Sequence, residues 1–472
     1  MIQDKSPEEI SEFLRTTFDK CGDFNFRTIR TCGKDIFLAN IGNFSGRDYI
    51  SENVIKPLVM HVQNSSDENI FLSAISASEM SEIGTAEECV DRVLAGAAVV
   101  FAETDGGTIA YSCMARNDPA RSVDEPNNEI VVRGPREGFV ENAENNVALL
   151  RKRLRTPQMK VLSLSSGKYS STSVKVVYIE GVADEKLVKD ICDRIDGIDL
   201  PSVIDSGYIE QFLPGEKPRL FTEVGNSEKP DKVAAKLSSG RIAIICDGSP
   251  VVLTVPYLFA ESLQSTEDYL NTPYYATFIR IIRFASVLVS LYLPAFYIAI
   301  MEFHKNAVPH ELYSRISKAR EGVPLSLFGE IVVILLIFEL IREVGVRMPG
   351  AVGNAVSIVC GLILGDAAVS AGISSEPVIM VAAITAITTF ILPPFMNSAV
   401  LLRFVNLVAA RLFGLVGIAL SLALLIIRLC RKTSFGVPYM SPFAPVSTEG
   451  FSDTVFVNPG KALKNSEGEL KR

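Results

Sequence analysis

Apolar and polar positions alternate along the chain in two different textures, and the change between them divides the protein. Up to about residue 272 the apolar residues recur in short helical or strand periods. From about Phe284 to Leu429 they fuse into long apolar runs broken by brief charged stretches. The first texture is that of a water-soluble region and the second that of a multi-span membrane block.

Within the soluble texture, residues 7–19 place Ile10, Phe13, Leu14 and Phe18 on one helical face. Phe24–Arg30 alternates and Asp35–Asn40 is a second short apolar run, which predicts a strand pair. Two later stretches resemble one another. Ala86–Gly96 reads as a helix ending in glycine, followed by a strand, the turn Asp105–Gly106–Gly107 and another strand. Asp231–Gly240 does the same, with its turn at Asp247–Gly248–Ser249. Glycine stops a helix because it enters left-handed backbone without a Cβ clash, and an Asp-Gly turn suits a hairpin. The recurrence predicts two related α/β subdomains, at 1–125 and 126–272. The polar stretch 116–136 is expected to link them and to close with a strand at Ile130–Arg133. A helix at Asn142–Arg155, two strands and the amphipathic helix after Asp184 follow. The order is that of an α+β region rather than a doubly wound sheet.

The membrane block, 273–430, reads as an all-α polytopic domain of about four to six membrane helices. Phe284–Met301 has no charge over a length that spans, and Pro294 inside it implies a kink. Ala351–Ile373, Val378–Leu392 and Leu412–Leu429 are further apolar runs. Ser326–Ile341 is apolar but carries Glu330 and Glu339, on opposite sides of an ideal helix. The charged stretch 302–327 suits an amphipathic helix lying along the membrane surface. Residues 431–472 are expected to be a cytosolic tail.

Charge sharpens this division. The chain carries a net −8, but residues 1–272 hold 29 basic against 42 acidic side chains, whereas 273–430 hold 11 against 8. An acidic soluble region lacks the basic footprint that nucleic acid requires. Arg428, Arg431 and Lys432 put the end of the last run on the cytosolic side, and the N-terminus shows no leader pattern. With a cytosolic soluble region, the number of crossings is then even. Eight scattered cysteines and three scattered histidines offer neither a disulfide framework nor a metal site. No phosphate loop, dinucleotide fingerprint or nucleophile elbow occurs, so no catalytic residue, cofactor or enzyme activity is assigned.

Ionisable residues inside a membrane are costly, by about 2.5–3.5 kcal/mol each on insertion scales, and mark interiors or pathways. Asp366, Glu330 and Glu339 are therefore candidates for a pore or gate. The alternative is an ion pair that only packs helices, for instance Glu339 or Glu343 with Arg342 or Arg347. Ser357, Gly361, Gly365, Ala368 and Gly372 share one face, which permits close helix contact or a narrow lumen. In the soluble region the cations Arg151, Lys152, Arg153 and Arg155 end a helix. They either complement its dipole or contact anionic headgroups or another subunit.

Specific strings complete the reading. DFNFRTIR, ENVIKPL, GPREGFVENAENNVALLRKRLRTPQMKV, HELYSRISKAREGVPLSLFGE, the stretch 339–373 and FGVPYMSPFAP resemble the A subunits of bacterial spore germinant receptors, the GerA family. The resemblance implies an inner spore membrane protein that works with a transporter-like B subunit and a lipoprotein C subunit. It implies a homo-oligomeric ring whose membrane helices form a cation channel opened by nutrient. The gate is expected in 339–373, with Val352 and Val356 as pore-facing candidates. Related spore-membrane proteins share the same cassette, so an accessory ion channel or a scaffold stands as an alternative, as does a secondary transporter acting alone.

Overall fold

Two β-hairpins with apolar inner faces organise each half of the soluble region. In the computed structural model, which describes residues 1–31, 34–61, 75–77, 79–104, 106–115, 129, 134–215, 219–347, 361, 363, 365–391, 393–446 and 454–456, the first hairpin joins β1 (Phe24–Thr31) to β2 (Lys34–Ile41). Its register sets Phe24 opposite Ile41 and Thr31 opposite Lys34. The short β3 (Met80–Glu82) and a second hairpin, β4 (Ala97–Thr104) with β5 (Gly107–Met114), complete a five-stranded antiparallel sheet in the order β1-β2-β4-β5-β3. The helix α1 (Pro7–Thr17) begins at a reciprocal cap, in which the Ser6 hydroxyl accepts from the Glu9 amide and the Glu9 carboxylate from the Ser6 amide. Further on come α2 (Arg47–Ile50), a π-helical turn, α3 (Lys56–His61) and α4 (Ala86–Leu94).

The second half repeats this plan. Helix α5 (Ala143–Arg153) precedes the hairpin of β6 (Met159–Ser166) and β7 (Thr172–Ile179). Then come α6 (Glu185–Asp196), α7 (Ser206–Phe212), β8 (Gly225–Ser227), α8 (Pro230–Ser238) and the hairpin of β9 (Ile242–Cys246) and β10 (Val252–Val255). The sheet order is β6-β7-β9-β10-β8, the same permutation as in the first sheet. The likeness that the sequence shows around one helix and hairpin therefore extends to a whole five-stranded unit.

Each sheet is covered on both faces, so its central strand is apolar without alternation: β4 from Ala97 to Ala102 and all of β9 are buried. On one face α1 and α4 pack Ile10, Leu14, Val90 and Val93 against Phe37, Val99 and Phe101. The corresponding face of the second sheet takes Val147 and Leu150 of α5 and Val233 and Leu237 of α8. The opposite faces carry α2 and α3, and α6 and α7, respectively. The strand expected at Ile130–Arg133 lies outside the described residues. Beside it, the Glu129 carboxylate accepts from Ser227 Oγ, the Glu228 amide and Lys232 Nζ at 2.6–2.9 Å. Burial alone raises its pKa, but Lys232 and these hydrogen bonds outweigh burial and hold it below the ordinary carboxylate value.

A short strap ties the two units. The Val161 amide donates to Lys20 O at 3.0 Å and the Gly22 amide to Val161 O at 2.8 Å, so residues 20–22 cover part of the outer edge of β6. Only glycine fits at 22, because a Cβ there would stand 2.8 Å from Val161 O.

The C-terminal region is helical. Helix α9 (Pro273–Phe303) starts beside the second unit and runs away from it. The surface helix α10 (His310–Ala319) and then α11 (Leu327–Arg347) follow. Residues 365–370 are helical and stop at Gly372. There the Ile373 amide reaches Ala368 O and the Gly372 amide Val369 O, a Schellman closure around a left-handed glycine. After α12 (Glu376–Phe390) comes the apolar stretch α13 (Met396–Arg431), which is not one straight rod.

Gly414 has φ 59° and ψ −138°, and the chain folds back on itself there. Ser398 and Lys432, which would stand ~50 Å apart along a straight helix, both bond the segment 220–221 of the second unit. The turn packs on Phe303, at the far end of α9, whereas both ends of the hairpin lie beside the soluble region. By length and composition, Pro273–Phe303 and Pro393–Arg431 are apolar enough to cross a membrane. Residues 432–446 do not trail away but pack on the second unit, where β11 (Thr433–Ser434) pairs with β12 (Val437–Pro438).

The fold at Gly414 makes one consequence measurable. A side chain there would adopt backbone that L-residues avoid and would meet Phe303 at 3.0 Å. Gly414→Ala is expected to cost about 1–3 kcal/mol, read as a lower thermal midpoint of the detergent-solubilised chain. An unchanged midpoint would mean that the hairpin turn is free to relax.

Candidate functional site

Pro294 removes one amide from the middle of α9, and the site grows from that defect. A helical amide at 294 would donate to the carbonyl of residue 290, so proline leaves Ser290 O without its helical donor. In the structure Arg403 Nε donates to Ser290 O at 2.9 Å, and Asn406 Nδ2 donates to the adjacent Leu291 O at 3.1 Å. Pro294 is thus tolerated inside α9 because neighbouring side chains satisfy the freed backbone.

Arg403 is almost fully buried, and its remaining nitrogens reach two more helices. Nη1 stands 3.4 Å from Glu339 on α11, and Nη2 donates to Thr389 Oγ1 on α12. Arg342 holds the other Glu339 oxygen at 2.6 Å. One guanidinium thereby joins α9, α11, α12 and the first arm of α13. A planar fork with fixed donors suits such a junction better than a lysine.

A second polar node lies nearer the Gly414 turn. Glu330 is completely buried, and its Oε1 accepts from Ser374 Oγ at 3.1 Å and from the amide and hydroxyl of Ser375 at 2.6 Å. Its Oε2 accepts from Arg320 Nε at 3.1 Å. Ser375 is the N-cap of α12, so a carboxylate from another helix caps that terminus and complements its dipole. Node and cap together fasten the end of α10, the start of α11 and the turn before α12.

The sequence candidates fall into three groups. Glu330 and Glu339 are inside the bundle, ion-paired to Arg320 and to Arg342 with Arg403; for Glu339, one partner is a residue the ion-pair alternative names. Asp366 is exposed on the helical stretch 365–370 and takes no part in either node. Val352, Val356 and Ser357 lie outside the described residues. Of the small-residue face, Ala368 is buried and Gly372 is spent on the helix stop.

The cationic end of α5 requires a correction. Arg151 is unavailable to headgroups: it is buried between the two units, where Nε and Nη2 grip Asp23 at 2.8 and 3.0 Å and Nη1 reaches Thr156 O. Burial disfavours its charge, yet Asp23 more than offsets this and raises the pKa. Lys152 and Arg153 share Glu137 at 2.8 and 2.7 Å, and these contacts overcome burial to hold its carboxyl below the ordinary range. Arg155 is exposed. Four adjacent cations look alike in sequence because their acidic partners, Asp23 above all, come from distant positions.

Arg403, Asn406, Arg320 and the Ser374–Ser375 pair escaped the sequence reading. A signal existed for Arg403, a lone charge between Met396 and Ala410 in an otherwise uncharged run.

The family model described as the Bacillus/Clostridium GerA spore germination protein matches residues 12–468. The chain is 38% identical over 415 residues to spore germination protein KA of Bacillus subtilis, covering 87% of this chain and 76% of that protein. It is 34% identical over 474 residues to the uncharacterized membrane protein YfkQ of the same organism, covering 98% and 91%. Spore germination protein GerLA of Bacillus cereus is 33% identical over 467 residues, covering 97% and 94%. Among solved structures, the crystal structure of the N-terminal domain of the A subunit of the Bacillus megaterium germinant receptor GerK3 aligns with a TM-score of 0.41 and 25% identity. That alignment covers 54% of this chain and 96% of the other.

Proposed function

The chain belongs to the GerA family of spore germination proteins, and from that premise we propose that it is the A subunit of a germinant receptor, transducing nutrient binding on a partner into the opening of a cation channel. The observation that supports this reading best is the bundle itself. Glu330, Glu339 and Arg403 are turned inward, and its hairpin and α12 leave long apolar surfaces exposed, as a lipid-embedded or subunit-facing wall requires. Counting α9, α11, the 351–371 segment, α12 and the two arms of α13, the proposed topology has six crossings, with both ends on the cytosolic side.

In this reading several copies form a ring in the inner spore membrane, beside a transporter-like B subunit and a lipoprotein C subunit. Nutrient bound to the partner shifts the population toward the open ring. The segment 339–373 carries the gate, with Val352 and Val356 facing the lumen and Asp366 drawing cations to it. Glu330 and Glu339 hold the helices of the bundle together rather than lining the lumen. An accessory role is the second reading, favoured by the match to a membrane protein of uncharacterized function over nearly the whole chain.

The test is conductance. The full chain in a planar bilayer should pass monovalent cations, and Val352→Ala or Val356→Ala should raise the nutrient-free current several-fold. Asp366→Asn should lower cation flux. A silent bilayer with the wild-type chain, alone and with its B and C partners, would overturn the channel and favour a scaffold. Wild-type currents in all three variants would move the gate elsewhere.

A further inference from the structure

The stretch Leu220–Glu223 of the second unit carries more contacts to the bundle than a linker needs. Ser398, at the start of the α13 hairpin, donates its hydroxyl to Leu220 O. Lys432, at the other end of the hairpin, donates to Phe221 O at 2.8 Å and pairs with the Glu223 carboxylate at 2.9 Å. Both arms of one helical hairpin are therefore seated on the same few residues of the soluble region.

The chain beyond the hairpin then closes over that seat. Ser434 is fully buried between two backbone segments: its hydroxyl donates to Glu223 O at 2.9 Å and accepts from the Tyr257 amide at 3.1 Å. The Phe259 amide donates to Tyr439 O at 2.9 Å. Phe221, Phe259, Phe395 and Tyr439 form one aromatic cluster, with centroids 5.6–6.4 Å apart. Phe435 packs into the core of the second unit under the Arg194 guanidinium. Tyr257 lies just past β10, with Pro256 between them, so the end of the sheet is tied through the Tyr257 amide to the segment that follows the last helix.

We propose that residues 220–223 and 432–446 form a clasp that makes the second soluble unit and the α13 hairpin move as one mechanical body. A rearrangement of that unit is thereby delivered to both arms at once. This inference rests on the channel reading for its consequence, but the clasp has a readout of its own. A hairpin merely anchored by hydrophobic packing would not need a half-buried lysine on a backbone carbonyl and a carboxylate, a buried serine bridge and two seated ends.

Two variants and one control test it in the full chain. Lys432→Met removes the bond to Phe221 O and the pair with Glu223; Ser434→Ala removes the bridge with a smaller change; Lys432→Arg keeps the charge. In the purified chain, hydrogen exchange at the Tyr257 and Tyr439 amides should quicken at least tenfold in the first two variants, while β9 amides stay protected. In spores, nutrient-triggered cation release should slow about tenfold at unchanged protein level, with Lys432→Arg near wild type. Unaltered exchange would show that the clasp contacts are dispensable. Quickened exchange with wild-type release would show that the clasp only holds the chain together. If Lys432→Met does not accumulate, Ser434→Ala carries both readings. A silent wild-type bilayer alongside slowed germination in the variants would retire the channel while leaving the clasp standing.

Discussion

Arg151→Ala is expected to destabilise the soluble region by about 3–5 kcal/mol, the cost of removing one partner from a buried ion pair. The arginine side chain is 1% exposed and that of Asp23 11%, so solvent cannot replace the lost guanidinium. Both Asp23 oxygens lose their donor, and Thr156 O loses its contact with Nη1. Asp23 sits one residue beyond the strap that binds β6, so the loss falls on the junction of the two units. Arg151→Lys keeps the charge but not the two-pronged geometry, and most of the cost should remain. Thermal unfolding of the detergent-solubilised chain, followed by circular dichroism, measures it. A midpoint shift within that of a surface control such as Arg155→Ala would mean that the pair contributes nothing to the junction.

Glu330→Ala should be comparably severe, about 3–5 kcal/mol, for a different reason. Removing this carboxylate uncaps α12 at Ser375, strips Ser374 of its acceptor and leaves Arg320 facing a buried void. Glu330→Gln retains an acceptor oxygen for the Ser375 amide and should lose less. The two variants therefore separate the hydrogen-bonding from the charge contribution. Because the node fastens α10, α11 and α12 alone, protease sensitivity should rise in the links around 320–326 and 371–376 while the soluble region stays resistant. Uniform resistance in Glu330→Ala would show that packing by Ile331, Ile334 and Val378 suffices to hold these helices.

Much of the fold is legible in the sequence where one local pattern suffices. The alternation at 24–30, the glycine after α4 and the apolar length of α9 each give an element its type without reference to distant residues. The soluble and membrane textures separate for the same reason, since burial in lipid and burial in a small core demand different run lengths. The acids Glu330 and Glu339 are also visible as outliers within an apolar run, and their high desolvation cost marks them for an internal role.

The partners of those acids are another matter. The apolar run through Leu412–Leu429 reads as a single span, yet the helix begins at Met396 and turns at Gly414 into two arms. Nothing local separates a glycine that is tolerated within a helix from one that reverses it; contact with Phe303 decides. Likewise Arg151 and Arg155 are both cations at a helix end. Asp23, 128 positions away, makes one of them internal.

Sequence pattern alone was enough for the division between a region of short periods and one of long apolar runs, for the kinds of element in each, for the repeated helix–hairpin and for the family. All of these depend on short-range periodicity or on contiguous strings. Folding in three dimensions alone sets Arg403 against the carbonyl freed by Pro294, Glu330 at the cap of a helix it does not belong to, and Lys432 and Ser434 on residues 221–223. Each of these is a hydrogen bond between positions far apart in the chain, and such pairing is fixed by packing geometry that no local pattern encodes.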